Sequence, residues 1–245
     1  MNRYVLSAAL LLATTGLSAI ARADDPIRLT NRSVVAEVTG MTDYRVRGIS
    51  RSDDHPAAQG KLEFQHPVGV YGGAQATTVD LNIDDDAVVE TVLYGGYKGQ
   101  YAGIDYDARL NWSAYPGGDN DDMDYFELVT RGGYDFGPFY AGLTWAISPD
   151  YLNSSGMALY YGGDVTVPLA GGFSLGGHLG FQFLDEENLY LSSDTMDWGA
   201  ALGYNYAPYD VDFSLEYVDT DLDKNECTEK CGGQVLLKAS KDFGW

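Results

Sequence analysis

From residue 34 to the C-terminus, the sequence is built from stretches of about ten residues in which apolar and polar side chains alternate at every second position. A strand sends successive side chains to opposite faces, so this pattern specifies sheets that are apolar on one face and polar on the other. The clearest stretch places Ile104, Tyr106, Ala108, Leu110, Trp112 and Ala114 opposite Asp105, Asp107, Arg109, Asn111 and Ser113. Residues 139–148, 211–217 and 233–245 repeat it. The 30 Gly and 19 Tyr beside only 5 Met point the same way, because Gly is poor in helix interiors and aromatic residues favour strands.

Twelve strands are expected: 33–48, 58–66, 68–80, 88–97, 104–115, 124–135, 138–148, 156–168, 173–184, 195–206, 211–218 and 233–245. Their connections alternate between two kinds. His66-Pro67, residues 98–103, Phe136-Gly137-Pro138, residues 169–172 and residues 207–210 are short and almost free of acid. The other connections are longer and carry Asp53-Asp54, Asp84-Asp85-Asp86, Asp119 with Asp121-Asp122, Asp150, Asp185-Glu186-Glu187 with Asp194, and Asp219-Asp221-Asp223 with Glu226 and Glu229. A soluble sandwich has no reason to alternate in this way. An outer-membrane barrel has short periplasmic turns, long outer loops and an even strand number. The fold expected is therefore an all-β transmembrane antiparallel barrel of about twelve strands, with both termini periplasmic. Tyr44, Tyr71, Tyr94, Tyr97, Tyr115, Tyr134, Tyr151, Tyr190, Tyr206 and Tyr209 fall near expected strand ends, where an amphipathic ring suits the membrane interface.

Residues 1–23 differ from the rest. Arg3 precedes an apolar stretch from Val5 to Ile20, and Ala21-Arg22-Ala23 gives a small-x-small cleavage pattern, so 1–23 is expected to be a signal peptide and 24–245 the barrel domain. No later apolar run approaches a membrane-spanning helix in length, so membrane insertion has to use strands. The formal net charge of −21 excludes a nucleic-acid binder that works by neutralising phosphates. The location expected is the outer membrane of a Gram-negative bacterium, with membrane lipid, lipopolysaccharide and the outer-membrane assembly machinery as partners.

With the polar parity of each strand turned to the lumen, the interior would hold Glu37, Asp43, Arg45, Arg47, Lys61, Glu63, Asp105, Asp107, Arg109, Glu127, Arg131, Asp212, Glu216, Lys238 and Asp242. Carboxylates exceed bases in this set, and a like-signed lumen with acidic mouth loops favours cations. The same charges could instead pair across a narrow barrel and close it, because unpaired charge is costly in a dry interior. His55, His66 and His178 are dispersed and make no metal site, no Gly-x-Ser-x-Gly signature is present, and no cofactor is expected. Cys227 and Cys231, four apart in an exported chain, are expected to form a local disulfide that stiffens the last acidic loop. Asp219, Asp221, Asp223 and Asn225 imitate a calcium loop, but Lys224 and Lys230 occupy positions that such a loop reserves for Gly and Glu.

The stretches Tyr44-Arg45-Val46-Arg47-Gly48-Ile49-Ser50, Pro56-Ala57-Ala58-Gln59-Gly60, His66 and Val70-Tyr71-Gly72-Gly73 resemble the N-terminal signature of the TorF family of porin-like proteins of Gram-negative bacteria, also catalogued as a proteobacterial domain of unknown function. Gly95-Gly96-Tyr97 and Tyr115-Pro116-Gly117 extend the resemblance, which weakens toward the C-terminus. Arg51 stands where the family usually keeps Gln, Pro67 interrupts a more polar stretch, and the cysteine pair is outside the pattern. The resemblance implies an outer-membrane barrel. The function expected is a porin-like, non-enzymatic channel for small ions or solutes. A closed barrel whose acidic loops bind a partner and a lipid-modifying barrel enzyme are the rival readings.

Overall fold

The structure is a computed structural model that describes residues 33–81, 87–118, 123–185, 194–223, 226–227 and 230–245. The expected signal peptide lies outside the described residues, as do Asp84 to Asp86, Asp119, Asp121, Asp122, Glu186, Glu187, Tyr190, Lys224, Asn225 and Glu229.

The first wall strand is β1 (Val34–Met41), followed by two short strands, β2 (Arg45–Val46) and β3 (Ile49–Ser50). Then come β4 (Ala57–Gln65), β5 (Val70–Thr78), β6 (Val89–Tyr101), β7 (Ile104–Ala114), β8 (Tyr125–Asp135), β9 (Tyr140–Ser148), β10 (Ala158–Pro168), β11 (Phe173–Leu184), β12 (Asp194–Tyr206), β13 (Val211–Thr220) and β14 (Gln234–Gly244). All except β2 and β3 form one closed antiparallel barrel of twelve strands. β1 closes it, with Val38 opposite Gly60 of β4 on one side and Lys241 of β14 on the other. Closure leaves no edge, so the wall backbone is satisfied internally, as a hydrocarbon surround requires. Ser33 and Val34 donate their N–H groups to the carbonyl of Trp245, placing both described ends of the chain at the short-turn mouth.

The usual inside-out rule of soluble proteins is reversed. Leu62, Phe64, Leu110, Leu143, Leu179, Leu215 and Leu237 point outward and are exposed, while the alternate residues point inward and are mostly polar and buried. That is the lipid-facing surface of a transmembrane barrel. Aromatic rings girdle both ends. At the short turns Tyr134, Phe136 and Phe139 follow one another at ring spacings of 4.8 Å, and Phe173 meets Tyr204 at 4.7 Å. Toward the long loops Trp112 stacks on Phe126 at 6.2 Å and Tyr161 meets Phe183 at 6.3 Å.

Two expectations change. The first strand, expected to reach residue 48, ends at Met41. Thr42 still exchanges hydrogen bonds with Leu237, after which the chain turns into the mouth. The tyrosines divide: Tyr97, Tyr134, Tyr206 and Tyr209 are exposed near the short-turn end, whereas Tyr44, Tyr71, Tyr94, Tyr115 and Tyr151 are buried inside. The inward group has phenol hydroxyls that find carboxylate or guanidinium partners, a use of tyrosine that strand-end position does not reveal.

Candidate functional site

The candidate site is the lumen together with the loop that fills its long-loop mouth. Residues 42–56 fold inward as a small hairpin in which Arg45 pairs with Ser50 and Val46 with Ile49. Arg47 and Gly48 form its tip, both with positive φ, 51° and 79°. Two successive positive-φ residues make the tight reversal that joins twisted antiparallel strands, and Gly48 supplies it without a steric penalty. The loop is braced within itself. Asp43 accepts hydrogen bonds from Arg45 (2.5 Å), Ser50 (2.6 Å) and Ser52 (2.9 Å), and Arg45 also reaches Asp54 at 2.6 Å.

From this brace two guanidinium groups cross to the barrel wall. Arg47 pairs with Glu127 on β8, donates to Gln182 on β11 at 3.1 Å, and lies over the Tyr160 ring at 4.4 Å. Arg51 donates to Glu90 on β6 at 2.5 Å, to Tyr115 at 2.7 Å and to Tyr151 at 3.0 Å. Glu90 also accepts the hydroxyls of Tyr44 and Tyr115, each at 2.7 Å. Burial, with the nearby Glu90 charge acting in the same direction, pushes both hydroxyls well above the usual phenol range, so they remain donors. Outside this polar belt, Met41, Tyr44, Ile49, Leu81, Met123, Leu152, Leu222 and the joined pair Cys227–Cys231 pack as an apolar cluster under the long loops. Among the described residues, this loop and the cluster over it occupy the long-loop mouth.

Farther toward the short turns the wall carries a second polar cluster. Glu63 accepts from Tyr94 at 3.0 Å, Gln65 at 2.8 Å and Lys98 at 3.3 Å, while Tyr71 donates to Asp107 at 2.6 Å. The Arg109 guanidinium lies 5.3 Å from the Tyr94 ring centre. Inward-facing glycines make this packing possible: a Cβ on Gly73 would sit 2.6 Å from the Tyr94 hydroxyl oxygen, and one on Gly96 2.7 Å from Tyr71. On the opposite wall Lys238 pairs with Glu216 at 2.8 Å and Asn205 donates to Asp212 at 2.8 Å. Glu37 is the register partner of Lys61 and of Asp242.

Most of the residues assigned to the lumen by parity lie on inward-facing wall positions: Glu37, Lys61, Glu63, Asp105, Asp107, Arg109, Glu127, Arg131, Asp212, Glu216, Lys238 and Asp242. Asp43, Arg45 and Arg47 are buried too, but on the inward loop and not on a wall strand, because the strand that was to carry them stops early. Among the described residues, Arg51, Glu90, Lys98, Asp164 and Asp197 are further charged side chains of the interior that escaped sequence reasoning. Lys98 belongs to β6, which runs to Tyr101, and not to a turn. Asp164 meets Arg131 at 3.6 Å, and Asp197 holds His178 Nε2 at 2.9 Å. Glu90, Lys98 and Asp164 lie on strands whose two faces differ little in polarity, so parity gave no contrast there, whereas Asp197 on β12 stands opposite Met196 and Trp198 and was legible by parity. Arg51 stood out only as a departure from a family pattern.

Between the loop and the β6–β11 wall a cavity of about 70 Å³ remains, lined by Arg47, Glu90, Arg109, Glu127, Arg131 and Asp164 among others. A single water needs about 10–15 Å³ on the same measure, so the space holds a handful of waters.

A closed barrel with an apolar belt, two aromatic girdles and a charged interior is an outer-membrane β-barrel of the porin-like class. The chain belongs to the bacterial protein family of unknown function Gcw_chp, whose model matches residues 23–243. No curated protein matches the sequence. Among solved structures it is similar in fold to the KdgM porin, with 7% identity, a TM-score of 0.57 and coverage of 86% of this chain and 99% of that one. The NanC porin aligns at 11% identity and a TM-score of 0.55, again covering 86% and 99%. An outer-membrane channel from Pseudomonas putida aligns at 12% identity and a TM-score of 0.50, covering 89% and 97%.

Proposed function

We propose that this protein is a gated channel of the Gram-negative outer membrane, passing small ions and solutes with a mild preference for cations, and that loop 42–56 is its gate. The observation that carries this reading is how the mouth is closed. The loop joins the surrounding wall mainly through side chains, chiefly those of Arg47 and Arg51, and not through the strand ladder of the barrel. Side-chain hydrogen bonds to charged groups contribute about 1.5–3 kcal/mol each, so such a closure can be undone while the barrel stays intact. The loop lies across the lumen beside a cavity of about 70 Å³, so in the gated reading passage needs the loop to swing outward.

Cation preference rests on the excess of carboxylates over bases in the interior and on the acidic long loops at that mouth. Asp105, Asp107, Glu127 and Glu216 are the wall carboxylates assigned to this role, with Arg45, Arg47, Arg109, Arg131 and Lys238 as the balancing cations and Glu37, Glu63 and Asp212 completing the lining. The resemblance of the Tyr44–Ser50 motif to the TorF family supports the same reading. Lipid and lipopolysaccharide around the belt and the outer-membrane assembly machinery are the partners that such a barrel requires.

A permanently closed barrel is the second reading, favoured by how fully the Arg51 guanidinium is satisfied. An enzyme acting on lipid has less support, since His178 faces the lumen and is tied to Asp197. Reversal potential in a planar bilayer under a salt gradient tests the proposal. A potential on the cation side is expected, and one on the anion side would overturn the preference.

A further inference from the structure

Lys230 is 1% exposed, although it sits in the long loop between β13 and β14. Burying an ammonium costs several kcal/mol unless it is paired, so its surroundings call for explanation. It lies inside the short ring closed by Cys227 and Cys231, where its N–H donates to the Cys227 carbonyl at 3.0 Å. Its ammonium donates to the backbone carbonyl of Asp80 at 2.9 Å and pairs with Asp53 at 3.4 Å. Its own carbonyl accepts the N–H of Ser50 at 2.9 Å. Nearby, Arg45 donates to the Gly232 carbonyl at 2.9 Å.

Ser50, Arg45 and Asp53 all belong to the inward loop. Asp80 belongs to the loop after β5 and is itself tied to the inward loop, since its N–H donates to the Arg51 carbonyl at 2.8 Å. One side chain therefore joins three long loops at the point where the inward loop leaves the wall.

We propose that Lys230, tethered through the Cys227–Cys231 disulfide, is a latch that holds loop 42–56 inside the mouth. The disulfide and the bond from the Lys230 N–H to the Cys227 carbonyl anchor Lys230, whose carbonyl meets Ser50 and whose ammonium meets Asp53 and Asp80, and these contacts hold the base of the hairpin that carries Arg47 and Arg51. Lys230 is thus a positioning residue for the gate. The inference rests on the gated reading above, because a latch has a role only if the loop moves.

The test uses the refolded full chain with Ile49→Cys as the reporter, since Ile49 is 4% exposed beneath the latch and no cysteine among the described residues is free. The rate at which a water-soluble maleimide labels that thiol reads loop opening without reference to conductance. Lys230→Met is expected to raise the rate about tenfold, the shift that loss of a charged hydrogen bond gives to a local opening equilibrium. Lys230→Arg is expected to stay near the parent rate, and Cys227→Ser with Cys231→Ser to raise it. If Lys230→Met does not fold, Asp53→Asn removes the carboxylate charge that faces Lys230 and is expected to give a smaller rise in the same direction. Labelling of folded Lys230→Met at the parent rate, or of folded Asp53→Asn where that variant is used, would overturn the latch. Latch-dependent labelling in a protein that never conducts would support the latch and count against the channel.

Discussion

Arg47 and Glu127 stand 80 positions apart in the chain and are joined by an ion pair inside the barrel, the first at the tip of a loop and the second on strand β8. Both are largely buried, so the pair links the inward loop to the wall where water screens little. Removing one partner leaves the other without compensation, which costs about 3–5 kcal/mol for a fully buried pair and less where some water reaches it. Arg47→Ala is therefore expected to raise the fraction of time the channel conducts, and Glu127→Gln to do the same. The double variant should show much less than the sum of the two effects, and single-channel open probability across the four proteins checks this.

Gly48 is the second tip residue, and its φ of +79° is unfavourable for any L side chain. A Cβ there would press on the Thr220 side chain and sit 3.2 Å from the Asp219 carbonyl oxygen. Gly48→Ala is expected to cost the closed state about 1–2 kcal/mol in backbone strain alone, before the clash is counted. The predicted outcome is a leakier channel with an unchanged barrel, read as conductance beside the usual mobility shift on heating in SDS gels.

How much of this was legible in the sequence depends on contrast. Strand β7 alternates apolar and polar residues without a break from Ile104 to Ala114, and its expected span of 104–115 differs from the observed one by a single residue. The connections after β4 and β8 were equally clear, because turns need Gly and Pro and the long loops collect acid. The inward loop was invisible for a physical reason. Asp43, Arg45 and Arg47 continue the alternation of β1, and nothing in a period-two pattern says that pairing stops at Met41. What sends the chain inward is long-range: partners on β6, β8 and β11 that no local reading brings near. Lys230 was read similarly from its local setting, as a departure from a calcium-like loop, since its side-chain partners Asp80 and Asp53 lie 150 and 177 positions away.

The belt itself is testable at Leu143, which is 72% exposed at the middle of β9 and faces outward. In a bilayer, Leu143→Arg is expected to destabilise the folded barrel by about 2–4 kcal/mol, the cost of a cation on the lipid face near the membrane midplane. Denaturant titration in lipid vesicles measures it. In water the same exposed position would tolerate Arg, so an unchanged midpoint would argue against membrane burial.

Orientation follows from which loops are long. His55, an exposed residue in the long-loop mouth, should be outside the cell, and Val68, an exposed residue in the turn between β4 and β5, should be periplasmic. A membrane-impermeant thiol reagent on intact cells is expected to label His55→Cys and to label Val68→Cys only after the outer membrane is permeabilised. The reverse pattern would invert the topology.

If loop 42–56 gates a conducting lumen, removing it should open the barrel. The most direct measurement is single-channel recording of the refolded protein beside a variant in which residues 43–52 are replaced by a short Gly/Ser linker, both confirmed as folded barrels by heat-dependent gel mobility. The account predicts small or infrequent steps from the parent and steady, larger, cation-selective steps from the variant. A folded variant that stays silent would contradict it and leave a barrel whose interior is sealed by its own wall.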